Sequence, residues 1–133
     1  MNSYIESINL DLVSNQTLAF IGDSVYDVYI RSYLAARSNL KTGELHKEAI
    51  KFVSAKAQSK VIEEISKNLT EEEIEVYKRG RNSNIKTVSK NVDVVNYKKA
   101  TGFECLIGWL YITKKMDRLS KVIDMAISVI SNK

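Results

Sequence analysis

Apolar residues recur every three or four positions along most of this chain, a spacing that predicts amphipathic helices rather than strands. The first long helix is predicted from about Asn15 to Arg37, capped by Ser14 or Asn15. Leu18, Ile21, Val25, Val28 and Ala35 fall on one stripe, and Phe20, Ile30 and Leu34 fill another side. A helix apolar on so much of its circumference should be central to the core. After a loop at 38–43, a second helix is predicted from about Glu44 to Lys67, burying Leu45, Ala49, Phe52, Val53, Ile62 and Ile65. Thr70-Glu71-Glu72-Glu73 has the form of a capping box, with Leu69 and Ile74 placed for a hydrophobic staple, so a third helix starts there. It should be short, because Arg79-Gly80-Arg81-Asn82-Ser83-Asn84 has the chemistry of a turn. Residues 83–95 read as a loop with a turn or two of helix. A fourth helix, about Tyr97 to Lys114, places Phe103, Leu106, Ile107 and Leu110 inward. Asp117 then caps a last helix through Leu119, Val122, Ile123, Ala126, Ile127 and Ile130.

Composition supports this pattern and narrows the class. There is no proline and there are five glycines in 133 residues, so helix breakers are scarce. The expectation is an all-α fold of about five to seven helices, with residues 1–133 forming a single domain. One cysteine and one histidine cannot assemble a disulfide framework or a zinc site within the chain. Apolar runs are too short to span a membrane, and Met1 to Glu6 lacks the basic and apolar regions of a secretory signal. A cytoplasmic location is expected.

Charge is unevenly placed. Residues 1–77 carry eight basic and twelve acidic side chains, whereas 78–99 carry Lys78, Arg79, Arg81, Lys86, Lys90, Lys98 and Lys99 against Asp93 alone. A solvated lysine-rich face is the ordinary reading of such a run. Concentration beside glycine and asparagine fits a polyanion better.

Most of the acids sit at helix starts or three to four residues from a lysine, which explains them structurally. Asp23 and Glu104 do not. Each lies inside one of the two most apolar helices, where a carboxylate must be ion-paired, hydrogen-bonded or metal-bound. A core salt bridge or a capped acid is one reading. The other starts from the nearby glycines Gly22, Gly102 and Gly108, which would let a backbone or ligand approach closely. If the helices pack together, the two acids converge on one cation. Oxygen-only ligation selects a hard ion, Mg²⁺ or alternatively Mn²⁺. A hard cation beside a basic segment is the arrangement that phosphodiester hydrolysis needs.

These residues carry a resemblance. Phe20-Ile21-Gly22-Asp23-Ser24-Val25 resembles the signature helix of the RNase III superfamily, and the stretch from Ala100 through Glu104 to Tyr111 resembles its second acidic motif. Lys78-Arg79-Gly80-Arg81-Asn82 and the segments His46-Lys47 and Phe52 to Gln58 are similar to the Mini-III branch, and the chain's end at 133 leaves no room for the double-stranded-RNA-binding domain of larger relatives. The resemblance covers about residues 14 to 130. It implies an RNase III endonuclease-domain-like helical fold and a metal-dependent endoribonuclease that cleaves double-stranded RNA, leaving 5′-phosphate and 3′-hydroxyl ends. Asp23 and Glu104 are then the catalytic and metal-binding acids. Lys78, Arg79, Arg81, Asn82, Lys86 and His46 contact RNA, and Phe20 lies at the interface of a homodimer whose paired signature helices line a valley for the duplex. The implied substrate is precursor 23S ribosomal RNA at its paired ends, with a ribosomal-protein helper left open.

The pattern is incomplete. Ordinary RNase III has further acids where this chain has Ala19 and Thr101, losses typical of the Mini-III branch, and Lys98 and Cys105 stand where arginine and alanine are expected. Asp27, one turn beyond Asp23, is expected to face solvent. Tyr26, Tyr29 and Tyr33 should pack at helix interfaces, and Trp109 should belong to the core or the dimer interface. Two rival readings remain at this point: a non-catalytic RNase III-like RNA-binding module, and a helical protein-interaction domain in which Asp23 and Glu104 are core ion-pair members.

Overall fold

The computed structural model describes residues 3–83 and 92–131. Among them all regular secondary structure is helical: α1 (Ser3–Glu6), α2 (Asn15–Arg37), α3 (Thr42–Val53), α4 (Ala55–Ile65) with a 3₁₀ turn (Ser66–Asn68), α5 (Glu71–Asn82), α6 (Val92–Ile112) and α7 (Met116–Ser131). α6 is the hub. It packs along α2 and α5 and across α4, while α7 closes the far side against α4 and α6. The all-α expectation holds.

Capping chemistry sets several boundaries. The Ser14 hydroxyl accepts the Thr17 N–H at 3.0 Å and starts α2. At α5 both halves of the capping box form, Glu73 N–H to Thr70 Oγ1 at 3.1 Å and Thr70 N–H to Glu73 Oε1 at 2.9 Å. Arg118 reaches the same Glu73 carboxylate through two bonds, of 2.8 and 2.7 Å.

Five boundaries differ from the sequence reading. The helix expected from Glu44 to Lys67 is broken at Ser54, whose extended backbone (φ −64°, ψ 156°) and hydroxyl, accepting from Ala57 N–H, start a new helix. α5 continues through Arg79 and Arg81 to Asn82. Gly80 is not a turn residue there, since a Cβ on it would lie 2.6 Å from Cys105 Cβ. α6 begins at Val92 and stops two residues before the expected Lys114. Lys114 takes a left-handed φ of 61°, and the bonds Lys115 N–H to Leu110 O (2.9 Å) and Lys114 N–H to Tyr111 O (3.1 Å) make a Schellman-type end. Asp117 lies in the first turn of α7 rather than at its cap.

The buried side of α2 also departs from the expected stripe. Leu18, Ala19, Gly22, Tyr26 and Ile30 are buried, whereas Phe20 (78%) and Val28 (63%) face outward and Ala35 is exposed. α2 is central, but only half of its apolar circumference meets the rest of the chain.

Candidate active site

Two glycines decide how α2 meets α6. A Cβ on Gly22 would overlap the carbonyl oxygen of Glu104, and one on Gly108 would overlap that of Leu18. The helices therefore touch backbone to backbone, which no larger residue permits. Asp23 directly follows Gly22, and Glu104 is the residue against which Gly22 rests. The crossing thus brings the two carboxylates into direct interaction.

Asp23 is exposed and Glu104 is half-buried. Neither carboxylate has a cationic partner within 4.0 Å among the described residues, so the core ion-pair reading finds no counterion there. Burial, and secondly the neighbouring Asp23, push the Glu104 carboxyl up to about 7, while the Gln58 amide works against that rise. Glu73 offers the contrast. It too is buried, but its bonds to Arg118 and Thr70 outweigh desolvation and hold its carboxyl below the ordinary range.

A pH dependence follows for the metal-free protein. A carboxyl with a raised folded-state pKa binds its proton more tightly folded than unfolded. Stability should therefore fall as pH rises from about 4.5 to about 7, by roughly 2–3 kcal/mol, and level off above. Melting in EDTA should reveal this slope in the natural protein and its loss in Glu104→Gln. Parallel profiles would contradict it.

Gln58 was noted in the sequence only as part of a similar segment, without a role. It is 1% exposed, and its Nε2 donates to Glu104 Oε2 at 3.2 Å and to the Val53 carbonyl at 3.0 Å. No local pattern marks it, because a glutamine on a helix is ordinarily a surface residue.

The remaining expected site residues that the structure describes lie on α2, α3 and α5. Gln16 Nε2 donates to Ser83 O at 3.2 Å, which ties the end of α5 to the start of α2. Asp23 is then about 10 Å farther along the α2 axis. Lys78, Arg79 and Asn82 are exposed on the last turns of α5. Arg81 is half-buried, its guanidinium 5.5 Å over the Tyr77 ring and its Nε donating to Asn82 Oδ1 at 3.2 Å. His46 is exposed on α3, about 10 Å up the helix axis from Val53. Lys86 lies outside the described residues. Asp27 pairs with Arg31 at 3.0 Å on the surface, and Thr101 turns its hydroxyl to the Tyr97 carbonyl. Cys105 is buried, with its thiol pushed up to about 11 by burial, and has no nucleophilic character.

A metal site must be judged on these donors. No group of three or more His, Cys, Asp or Glu side chains converges among the described residues. Two carboxylates alone suit a hard cation that keeps most of its waters, and the raised Glu104 pKa marks a place where positive charge would be welcome. The donor set fits such an ion.

Phe20, Ser24 and Val28 recur every four residues along the outer side of α2. With Ile21, Val25 and Tyr111 they line an open apolar groove of about 500 Å³. No helix of the described residues is long and apolar enough to cross a membrane.

Comparisons with known proteins place the chain in a family. Residues 16–115 match the model of the Ribonuclease III domain. The chain is 45% identical to a Mini-ribonuclease 3 of Streptococcus pneumoniae, over 90% of this chain and 95% of that one. It is 35% identical to a Mini-ribonuclease 3 of Staphylococcus aureus, over 94% and 95% of the two chains. A crystal structure of a Fusobacterium nucleatum protein superposes with a TM-score of 0.79 at 34% identity, covering 92% of this chain and 98% of that one. With the matched region spanning both acidic motifs and the helices between them, the chain belongs to the Ribonuclease III family and, within it, to the Mini-ribonuclease 3 endoribonucleases.

Proposed function

We propose that Asp23 and Glu104 together hold a divalent cation, Mg²⁺ by preference, at which one strand of a double-stranded RNA is hydrolysed. The observation that carries this reading is the pair itself. Two carboxylates from the signature helix and the second acidic helix touch across a glycine contact, without a described counterion. When bound, the cation supplies a Lewis acid and lowers the pKa of water. Asp23, exposed on α2, would meet the incoming phosphate, while Glu104 on α6 accepts a hydrogen bond from Gln58 of α4. Incubating a long RNA duplex with the protein, with and without Mg²⁺, tests the reading. Cleavage that proceeds equally in EDTA would defeat it.

The substrate proposed is precursor 23S ribosomal RNA, at the duplex formed by its ends, in the cytoplasm. Duplex RNA is read through shape, phosphates and 2′-hydroxyls rather than bases, which suits the basic end of α5. Arg79 is the freer phosphate contact. Arg81 reaches phosphate from its perch on Tyr77; exposed Lys78, Asn82 and His46 are further proposed contacts, as is Lys86, which lies outside the described residues. Replacing Arg79 and Arg81 by alanine should weaken binding on all duplexes alike and flatten the salt dependence by roughly one unit per lost phosphate contact. If the double variant binds RNA normally and is only less stable, the arginines serve the helix end instead.

The working unit proposed is a homodimer built on the exposed face of α2. Phe20 and Val28 leave an apolar strip that a second copy would cover by the same strip, an isologous contact. Phe20→Glu should convert the dimer to monomer in analytical ultracentrifugation at micromolar concentration. A variant that sediments as the natural protein does would move the interface elsewhere.

A further inference from the structure

We propose that Gln58 is a positioning residue that sets the orientation of the Glu104 carboxylate for metal binding, and that the break between α3 and α4 is what aims it. This rests on the reading of Asp23 and Glu104 as the metal site.

The chain of causes starts at Ser54. In an uninterrupted helix the Ala57 N–H would donate to the Val53 carbonyl. Here Ser54 Oγ takes that N–H at 3.2 Å, which leaves the Val53 carbonyl without its helical donor at the end of α3. Gln58 Nε2 supplies the missing donor at 3.0 Å, and the same NH₂ group donates to Glu104 Oε2 at 3.2 Å. Both partners are acceptors. A flipped amide would set Oε1 against a carbonyl oxygen and a carboxylate oxygen at once, so only one orientation is open to it.

That orientation carries a cost of its own. Gln58 Oε1 is left buried with no hydrogen-bond partner among the described residues. Leucine at this position would remove that orphan but would leave the Val53 carbonyl without a donor. What glutamine adds is a fixed N–H on one oxygen of Glu104, leaving the other oxygen free of that bond. Partners of this kind orient metal-binding side chains, and their loss typically weakens metal affinity by about 10- to 100-fold.

The test is Mn²⁺ binding, followed by electron paramagnetic resonance, to the full chain without RNA. The natural protein should bind Mn²⁺ and Asp23→Asn should lose it. Gln58→Met should melt as a folded protein, bind duplex RNA normally in EDTA, and bind Mn²⁺ roughly tenfold more weakly. In a Glu104→Gln background the Gln58 change should cost nothing further. If Asp23→Asn loses Mn²⁺ but a folded Gln58→Met keeps the natural affinity, the positioning role is overturned and the metal site stands. If the natural protein binds no Mn²⁺, or Asp23→Asn binds it unchanged, the site reading falls and this role with it. Should Gln58→Met fail to fold, the Gln58 side-chain NH₂ resonances of the natural protein decide. They should shift on Mg²⁺ saturation, and not in Glu104→Gln. Resonances indifferent to Mg²⁺ in the natural protein would also overturn the role.

Discussion

Asp23→Asn is expected to fold, dimerise and bind duplex RNA, yet to cleave it slower by a factor on the order of 10³ or more. The substitution keeps shape and removes the charge that would hold the cation against the scissile phosphate. The structure sharpens what its stability should be. Were Asp23 half of a core ion pair, asparagine would strand a buried cation and cost about 3–5 kcal/mol. No described cation stands beside it, and its nearest charged neighbour is another carboxylate, Glu104. Removing the Asp23 charge relieves that repulsion, so above neutral pH the metal-free variant should melt at or above the natural temperature. Single-turnover cleavage and melting, measured side by side, check both halves. A normally folded variant cutting at the natural rate would end the assignment of this site.

Gly22→Ala is expected to be the most damaging small substitution in the protein. The new methyl would meet the carbonyl oxygen of Glu104, a backbone atom that cannot rotate aside, so α2 and α6 must separate. Overpacking typically costs about 1–3 kcal/mol, and a clash between backbones belongs at the upper end or beyond it. The melting temperature should drop by roughly 10 °C or more. Cleavage should fall further than stability explains, because the separated helices carry Asp23 and Glu104 apart. Gly43→Ala is the control. It lies in the first turn of α3 with nothing within 4 Å of a Cβ, and should be neutral or slightly stabilising. Equal melting temperatures for the two alanine variants would show that the close contact is not what holds the helices in register.

Helix starts that depend on a residue's own neighbours were legible in the chain. Ser14 and the Thr70–Glu73 box act within one turn of backbone, so their positions carried directly into the structure. Ser54 was not legible, since the apolar spacing runs on from Phe52 to Ile62 and no glycine or proline marks a stop. Gly80 misled in the other direction. Glycine beside asparagine suggested a turn, but its missing Cβ serves the contact with Cys105 inside a helix.

The sequence by itself determined the helical class, the principal caps and the oddity of Asp23 and Glu104, two acids set in apolar helices. Those properties follow from local propensity and from the cost of desolvating charge, which any fold of this chain would face. Which half of α2 is buried was decided only by the tertiary structure, because a helix apolar nearly all round offers several faces that periodicity cannot rank. So were the meeting of the two acids across Gly22 and Gly108, and the Gln58 bond behind Glu104. Partners 46 and 81 positions apart in the chain become neighbours only when helices cross, and the crossing depends on packing volumes that a linear pattern does not encode.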